Sequence, residues 1–233
     1  MLRNLSTSIS IFAVLALPMA ALAHETQQFK IGDKEYSIVV GTLNEPTVVD
    51  DKAGVALIVT QLGVPSTAAV HDDGDGDAAS GAPVEGLDKL LKVEVSAGDK
   101  KKVFELTPQW GTPGSYEAVF FPTVQTTLTY RFFGRINNVP VDFSFSCNPA
   151  GHPQVADEKV AVEVSKNVTR TLKRGAFGCP LGKADLGFPE PAVAMVDLAK
   201  NGETTPDVGM IGLIVGCIAL LVGIGAWVKA GAQ

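Results

Sequence analysis

From Phe29 to Phe145 apolar and polar residues alternate in short runs rich in β-branched and aromatic side chains, broken by Gly, Pro, Asp and Asn. A period of two sends successive side chains to opposite faces of an extended chain, so this pattern predicts antiparallel strands with one buried face each. The runs fall at residues 28–31, 36–41, 54–61, 89–96, 102–106, 115–120, 128–136 and 139–147. No long amphipathic helix separates them, which argues against a parallel α/β arrangement. Short strands with turn signals between them predict an all-β fold, an immunoglobulin-like antiparallel β-sandwich. One hairpin is specified in detail by Arg135-Ile136-Asn137-Asn138-Val139-Pro140-Val141. The Asn-Asn pair tolerates the positive φ values of a two-residue turn, and Pro140 marks a strand start or an edge.

Two hydrophobic segments bracket this region. Residues 1–23 combine Arg3, an apolar run from Ile9 to Leu17 and the small-residue exit Ala21-Leu22-Ala23, the pattern of a cleaved secretory signal. Residues 208–228 carry no charge and are long enough, at ~1.5 Å per residue, to cross a ~30 Å hydrocarbon layer as a helix. The expected order is signal peptide 1–23, extracytoplasmic sandwich 24–177, stalk 178–207, transmembrane helix 208–228 and cytoplasmic tail 229–233. The main domain is then periplasmic or extracellular, on a single-pass anchor in the cell membrane. Within the anchor, Gly212 and Gly216 stand one turn apart, a spacing that permits close contact between two helices and hence a dimer.

Between signal and anchor lie all 25 acidic residues and 17 of the 19 basic ones, a surplus of eight negative charges. That balance argues against nucleic acid as a partner. The same segment holds Cys147 and Cys179, while Cys217 falls inside the predicted span. In an oxidising compartment two thiols of one domain most often pair, with metal binding or two free thiols as the alternatives.

The alternation fails over 63–86, where Pro65 to Pro83 is rich in Asp, Gly, Ala and Ser and is too poor in apolar surface to order itself. A disordered acidic loop is expected there. Alternation returns at 159–164 and 167–172 as one further hairpin, packed on the sandwich or flanking it. Residues 178–206 are rich in Gly and Pro and contain one helix candidate at 191–200, with Pro191 suited to its start and Gly202 just past its end.

Motifs for catalysis are missing: no Gly-x-Ser-x-Gly elbow, no His-Glu-x-x-His, no phosphate-cradling glycine loop, and three histidines in all. The chain is not expected to be an enzyme. Asp72-Asp73-Gly74-Asp75-Gly76-Asp77 has the look of a calcium loop, but counted from Asp73 the twelfth position is Val84, with Glu85 one place late. Asn167-Val168-Thr169 fits the glycosylation pattern. Cleavage after Ala23 would leave His24 first in the mature chain, where its α-amino group and imidazole together can chelate copper. Further metal ligands would come from His71 and His152, with Met195 and the acidic loop behind them. Solvated loop histidines are the plainer account of His71 and His152, whose spacing matches no fixed ligand motif.

The stretch Gly111-Thr112-Pro113-Gly114-Ser115-Tyr116-Glu117-Ala118-Val119-Phe120-Phe121-Pro122-Thr123, followed by Thr129-Tyr130-Arg131-Phe132-Phe133-Gly134, resembles YtkA-like and related bacterial periplasmic β-sandwich domains. Upstream, the segment from Tyr36 to Val49 looks like the opening of membrane-anchored bacterial proteins of that circle. The resemblance covers about residues 29–145. It implies an immunoglobulin-like sandwich outside a bacterial cytoplasmic membrane, in a group where some domains are associated with copper handling. Periplasmic copper carriers of this kind begin their mature chain with a histidine, as His24 would. The expected function is a membrane-tethered binding or accessory module related to copper or serving a membrane-protein partner. The alternative is a structural or protein-interaction domain of the envelope.

Overall fold

The computed structural model describes residues 24–65, 81–149 and 157–204. The chain divides into two compact units, Met1–Leu181 and Gly182–Gln233. Twelve strands make up the described part of the first: β1 His24–Ile31, β2 Lys34–Thr42, β3 Ala53–Leu62, β4 Gly81–Pro83, β5 Leu91–Ala97, β6 Lys100–Glu105, β7 Thr107–Pro108, β8 Ser115–Phe120, β9 Thr129–Ile136, β10 Val139–Ser146, β11 Val162–Ser165 and β12 Val168–Gly175. One sheet has the order β11-β12-β1-β2-β3-β8-β7, with β4 also on β3, and the other has the order β10-β9-β5-β6. Every strand pair is antiparallel.

The two sheets share one core, built as the period of two requires. Ile38 and Val40, Val55, Leu57 and Val59, and Tyr116 line one sheet, while Leu91, Val93, Tyr130, Phe132, Phe143 and Phe145 line the other. Phe29 of β1 stacks on Phe143 of β10 with ring centroids 5.0 Å apart, so the sheets meet face to face. This is the expected all-β sandwich. The predicted hairpin is present, with Asn137 at φ 50° and Asn138 at φ 62° between β9 and β10. Pro140 stands in β10, an edge of its sheet among the described residues, where a missing N–H breaks no ladder.

Several expectations move. β1 begins at His24 rather than at 28, because its polar first half is paired on both sides, with β2 and with β12. The further hairpin, expected packed on the sandwich or flanking it, is part of a sheet, since β12 is the neighbour of β1. The expected disordered loop at 63–86 is too long at its far end: Gly81 to Pro83 pair with β3, and the Val84 N–H donates to the Val59 carbonyl at 2.9 Å. Gly81 is needed there, because a Cβ at that position would run into the Gln61 carbonyl. The Tyr116 hydroxyl closes the segment, donating to the Val84 carbonyl at 2.6 Å and accepting the Leu87 N–H at 3.1 Å.

Residues 178–181, expected in the stalk, belong to the first unit. Cys179 is disulfide-bonded to Cys147, Gly178 bridges Asn148, and Leu181 bridges Val48. In the second unit the helix α1 spans Met195–Thr204 instead of 191–200. Its first turn forms where the Ala194 carbonyl accepts the N–H groups of Asp197 and Leu198, so Pro191 precedes the helix and Gly202 lies within it. Among the described residues no helix is long and apolar enough to cross a membrane. The expected signal peptide 1–23, the transmembrane helix 208–228 with Gly212 and Gly216, and the tail 229–233 lie outside the described residues.

Candidate functional site

The inward face of β1 does something a sandwich core rarely permits. Its alternate positions are Glu25, Gln27, Phe29 and Ile31. The last two join the apolar core, whereas Glu25 is 2% exposed and Gln27 is also buried. Burying a carboxyl group is unfavourable unless partners replace its water. Here Gln27 Nε2 donates to Glu25 Oε1 at 2.5 Å, and Lys173 Nζ stands 3.5 Å from the same oxygen.

Strand pairing explains the gathering. Lys173 of β12 is opposite Gln27, Arg170 is opposite Phe29, and the register slips between Gln28 and Phe29, where a bulge re-aims the strand. Glu158 is tied to Lys173 by two backbone hydrogen bonds of 2.8 and 2.9 Å. Its carboxylate lies 3.5 Å from Arg170 Nη2, and Arg170 Nη1 is buried without a hydrogen-bond partner among the described residues. Two cations and two carboxyl groups thus meet at long range, with neither pair closed tightly.

These side chains edge a cleft of about 280 Å³ whose lining includes Gln27, Phe29, Phe143, Glu158, Arg170 and Lys173. The stacked Phe29 and Phe143 rings form an apolar wall beside the charged one. Desolvation pushes the Glu25 carboxyl above its ordinary value, against the lowering effects of the Gln27 hydrogen bond and of Lys173 and Arg170.

The sign of that shift sets a pH dependence. With a raised folded pKa, the folded chain holds the Glu25 proton more tightly than the unfolded chain. The resulting stability is complete below the ordinary carboxylate value of 4.5 and is lost as pH rises through the folded value. Glu25→Gln, which keeps the shape and removes the charge, is therefore expected to melt higher than the native chain near neutral pH. The gain should shrink toward nothing at about pH 3, where the native carboxyl is neutral in both states. Thermal melts across that range check it, and a lower melting point for the variant at neutral pH contradicts it.

The residues singled out from sequence are placed differently. His24 is the first residue of β1, half-buried and paired with Gly41 of β2. His71 and His152 lie outside the described residues, and among those described no three His, Cys, Asp or Glu side chains form a metal-holding group. Met195 opens α1 in the second unit. Cys147 and Cys179 form the disulfide, with Cα atoms 5.0 Å apart, which settles the alternatives of metal binding and free thiols for that pair. Asn167 of the glycosylation pattern sits exposed in the turn between β11 and β12 at φ 65°. Glu25, Gln27, Arg170 and Lys173 went unremarked in the sequence. The signal for the first two was available: counting back by twos from Phe29 puts both on the apolar face.

Fold and site together define an all-β domain of two antiparallel sheets with a charged cleft where the core reaches β1 and β12. Comparison with protein-family models, with curated proteins and with solved structures finds no match to this chain.

Proposed function

We propose that this chain is a membrane-tethered extracytoplasmic binding module, an immunoglobulin-like sandwich whose cleft takes a small organic anion with an apolar body. The tether is the span expected at 208–228, after removal of the signal expected at 1–23. One observation carries the reading: buried Glu25 and the largely buried Arg170, flanked by the more exposed Glu158 and Lys173, occupy an edge of the core that apolar side chains would stabilise at least as well. A buried guanidinium nitrogen with no partner among the described residues is unfavourable by about 1–3 kcal/mol, and an arriving carboxylate supplies the acceptor it lacks. The Phe29 and Phe143 rings accommodate the rest of such a ligand.

Titration calorimetry of the full chain in neutral detergent tests the anion reading, with benzoate as the probe and benzyl alcohol as its uncharged counterpart. Benzoate should bind and benzyl alcohol should not, and Arg170→Gln should weaken benzoate by about tenfold or more, the effect of removing one charge-assisted contact. Circular dichroism reports whether the variant remains folded. Equal affinity for the two probes, or benzoate binding unchanged in Arg170→Gln, would return the cluster to a purely structural role in an envelope domain.

A further inference from the structure

A second concavity lies away from the charged cleft, where β8 runs out into the loop that leads to β9. It measures about 480 Å³, and Val95, Phe104, Phe120 and Leu128 line it together with Phe121 and Val124. The last two are 59% and 45% exposed, so the loop presents apolar surface to solvent instead of burying it. Phe104 and Phe120 meet across the two sheets, with ring centroids 5.7 Å apart. The groove is thus where the sandwich opens beside β6.

β6 is the last strand of its sheet among the described residues, paired with β5 on one side only. Its other side offers unpaired backbone N–H and C=O groups, a template for one more strand. The strand begins with Lys100, Lys101 and Lys102. Lys101 stands 3.5 Å from Glu94, and further along Lys92 of β5 binds Glu105 at 2.6 Å. Lys100 and Lys102 have no such carboxylate among the described residues. By strand alternation they share the face of Phe104, and the Lys102 ammonium lies 4.9 Å from the centre of that ring. In a chain of net charge −6 this is a local positive strip, bordered by apolar surface and by a free strand edge.

We propose that β6 and the adjoining groove form a docking edge for an extended acidic segment of a partner protein. The segment adds to the four-stranded sheet along β6, sets carboxylates against Lys100 and Lys102, and on the same face sets an apolar side chain opposite Phe104, in the groove. The free ladder favours a polypeptide strand over a lipid surface, which has no use for it. A second copy of this edge fits less well, because its one carboxylate, Glu105, is already held by Lys92 and self-pairing leaves Lys102 without an anion. Lysines that guard an edge against self-association thereby select an acidic strand.

The test uses the full chain in neutral detergent and fluorescence anisotropy of two labelled peptides, Val-Thr-Glu-Thr-Glu-Thr and Val-Thr-Lys-Thr-Lys-Thr, whose alternate residues oppose Phe104, Lys102 and Lys100 in an antiparallel pair. The acidic peptide should bind, with an affinity that falls as salt rises, and the basic one should not. Lys100→Glu combined with Lys102→Glu should weaken the acidic peptide by about tenfold or more, an effect of juxtaposed like charge. Phe121→Ser should weaken it without changing the salt dependence. These side chains are exposed, and circular dichroism confirms the fold of each variant. The proposal is overturned if the acidic peptide does not bind at millimolar concentration, if both peptides bind alike, or if the lysine variants bind as the native chain does. Displacement of the peptide by short-chain phosphatidylglycerol at equal concentration would also overturn it, in favour of an anionic lipid.

Discussion

Reducing the Cys147–Cys179 disulfide is expected to lower the melting temperature of the sandwich by about 10 °C. The bond closes a loop with a sequence separation of 32, for which the chain-entropy relation gives a stabilisation of about 3–4 kcal/mol. For a unit of this size each kcal/mol moves the midpoint by about 2–4 °C. The local structure adds to this effect. Cys147 is buried at the end of β10, and its Sγ accepts the Leu128 N–H at 3.1 Å. Beyond Cys179, Leu181 donates its N–H to the Thr47 carbonyl at 2.9 Å and accepts the Val49 N–H at 3.1 Å. Without the covalent link the short bridges of residues 178–181 must hold that segment alone. Scanning calorimetry with and without a phosphine reductant, repeated on Cys179→Ser, measures the effect. A shift of less than about 2 °C would mean that the reduced chain retains the loop by other contacts.

Phe132→Ala is expected to destabilise the first unit by about 3–5 kcal/mol, among the largest effects a single substitution should have here. Phe132 is 0% exposed, and its ring lies 5.8 Å from that of Phe143 and 6.0 Å from that of Phe145. Truncation leaves a cavity that these aromatic neighbours on the paired strand β10 cannot close without losing their own packing. The adjacent residue provides the control. Phe133 points to the opposite face, where Arg131 lies over its ring at 5.2 Å, and Phe133→Ala should change stability by less than about 1 kcal/mol. Urea unfolding of both variants tests the contrast, and similar losses at the two positions would contradict the assignment of faces.

The strands were legible because a half-buried strand writes its own period, and 115–120, 128–136 and 139–147 match β8, β9 and β10 to within a residue. The β9–β10 turn was legible for a local reason too, since Asn137 and Asn138 both adopt positive φ. The disulfide followed from the number of thiols in one segment, although geometry was needed to decide it. Other features left little local trace. β4 is three residues at the end of an acidic, glycine-rich stretch, and it is a strand only because β3 offers it a partner. The boundary at Leu181 rests on bridges to residues more than a hundred positions away, such as Val48.

The site divides in the same way. The residue types of β1 place Glu25 and Gln27 on the face of Phe29 and Ile31 as soon as the strand is extended, and the sequence determines that much. That Lys173 and Arg170 arrive beside them depends on β12 crossing back to pair with β1, with a slip of register at Phe29. The groove beside β6 depends likewise on which strand was left without a neighbour among the described residues. Alternation, turn preference and cysteine number are local properties, so sequence alone determined the all-β class, most strands and the predicted hairpin. Which distant strands become neighbours is settled by closing one apolar core between two sheets, so only the tertiary structure decided where charge is buried and which edge stays open.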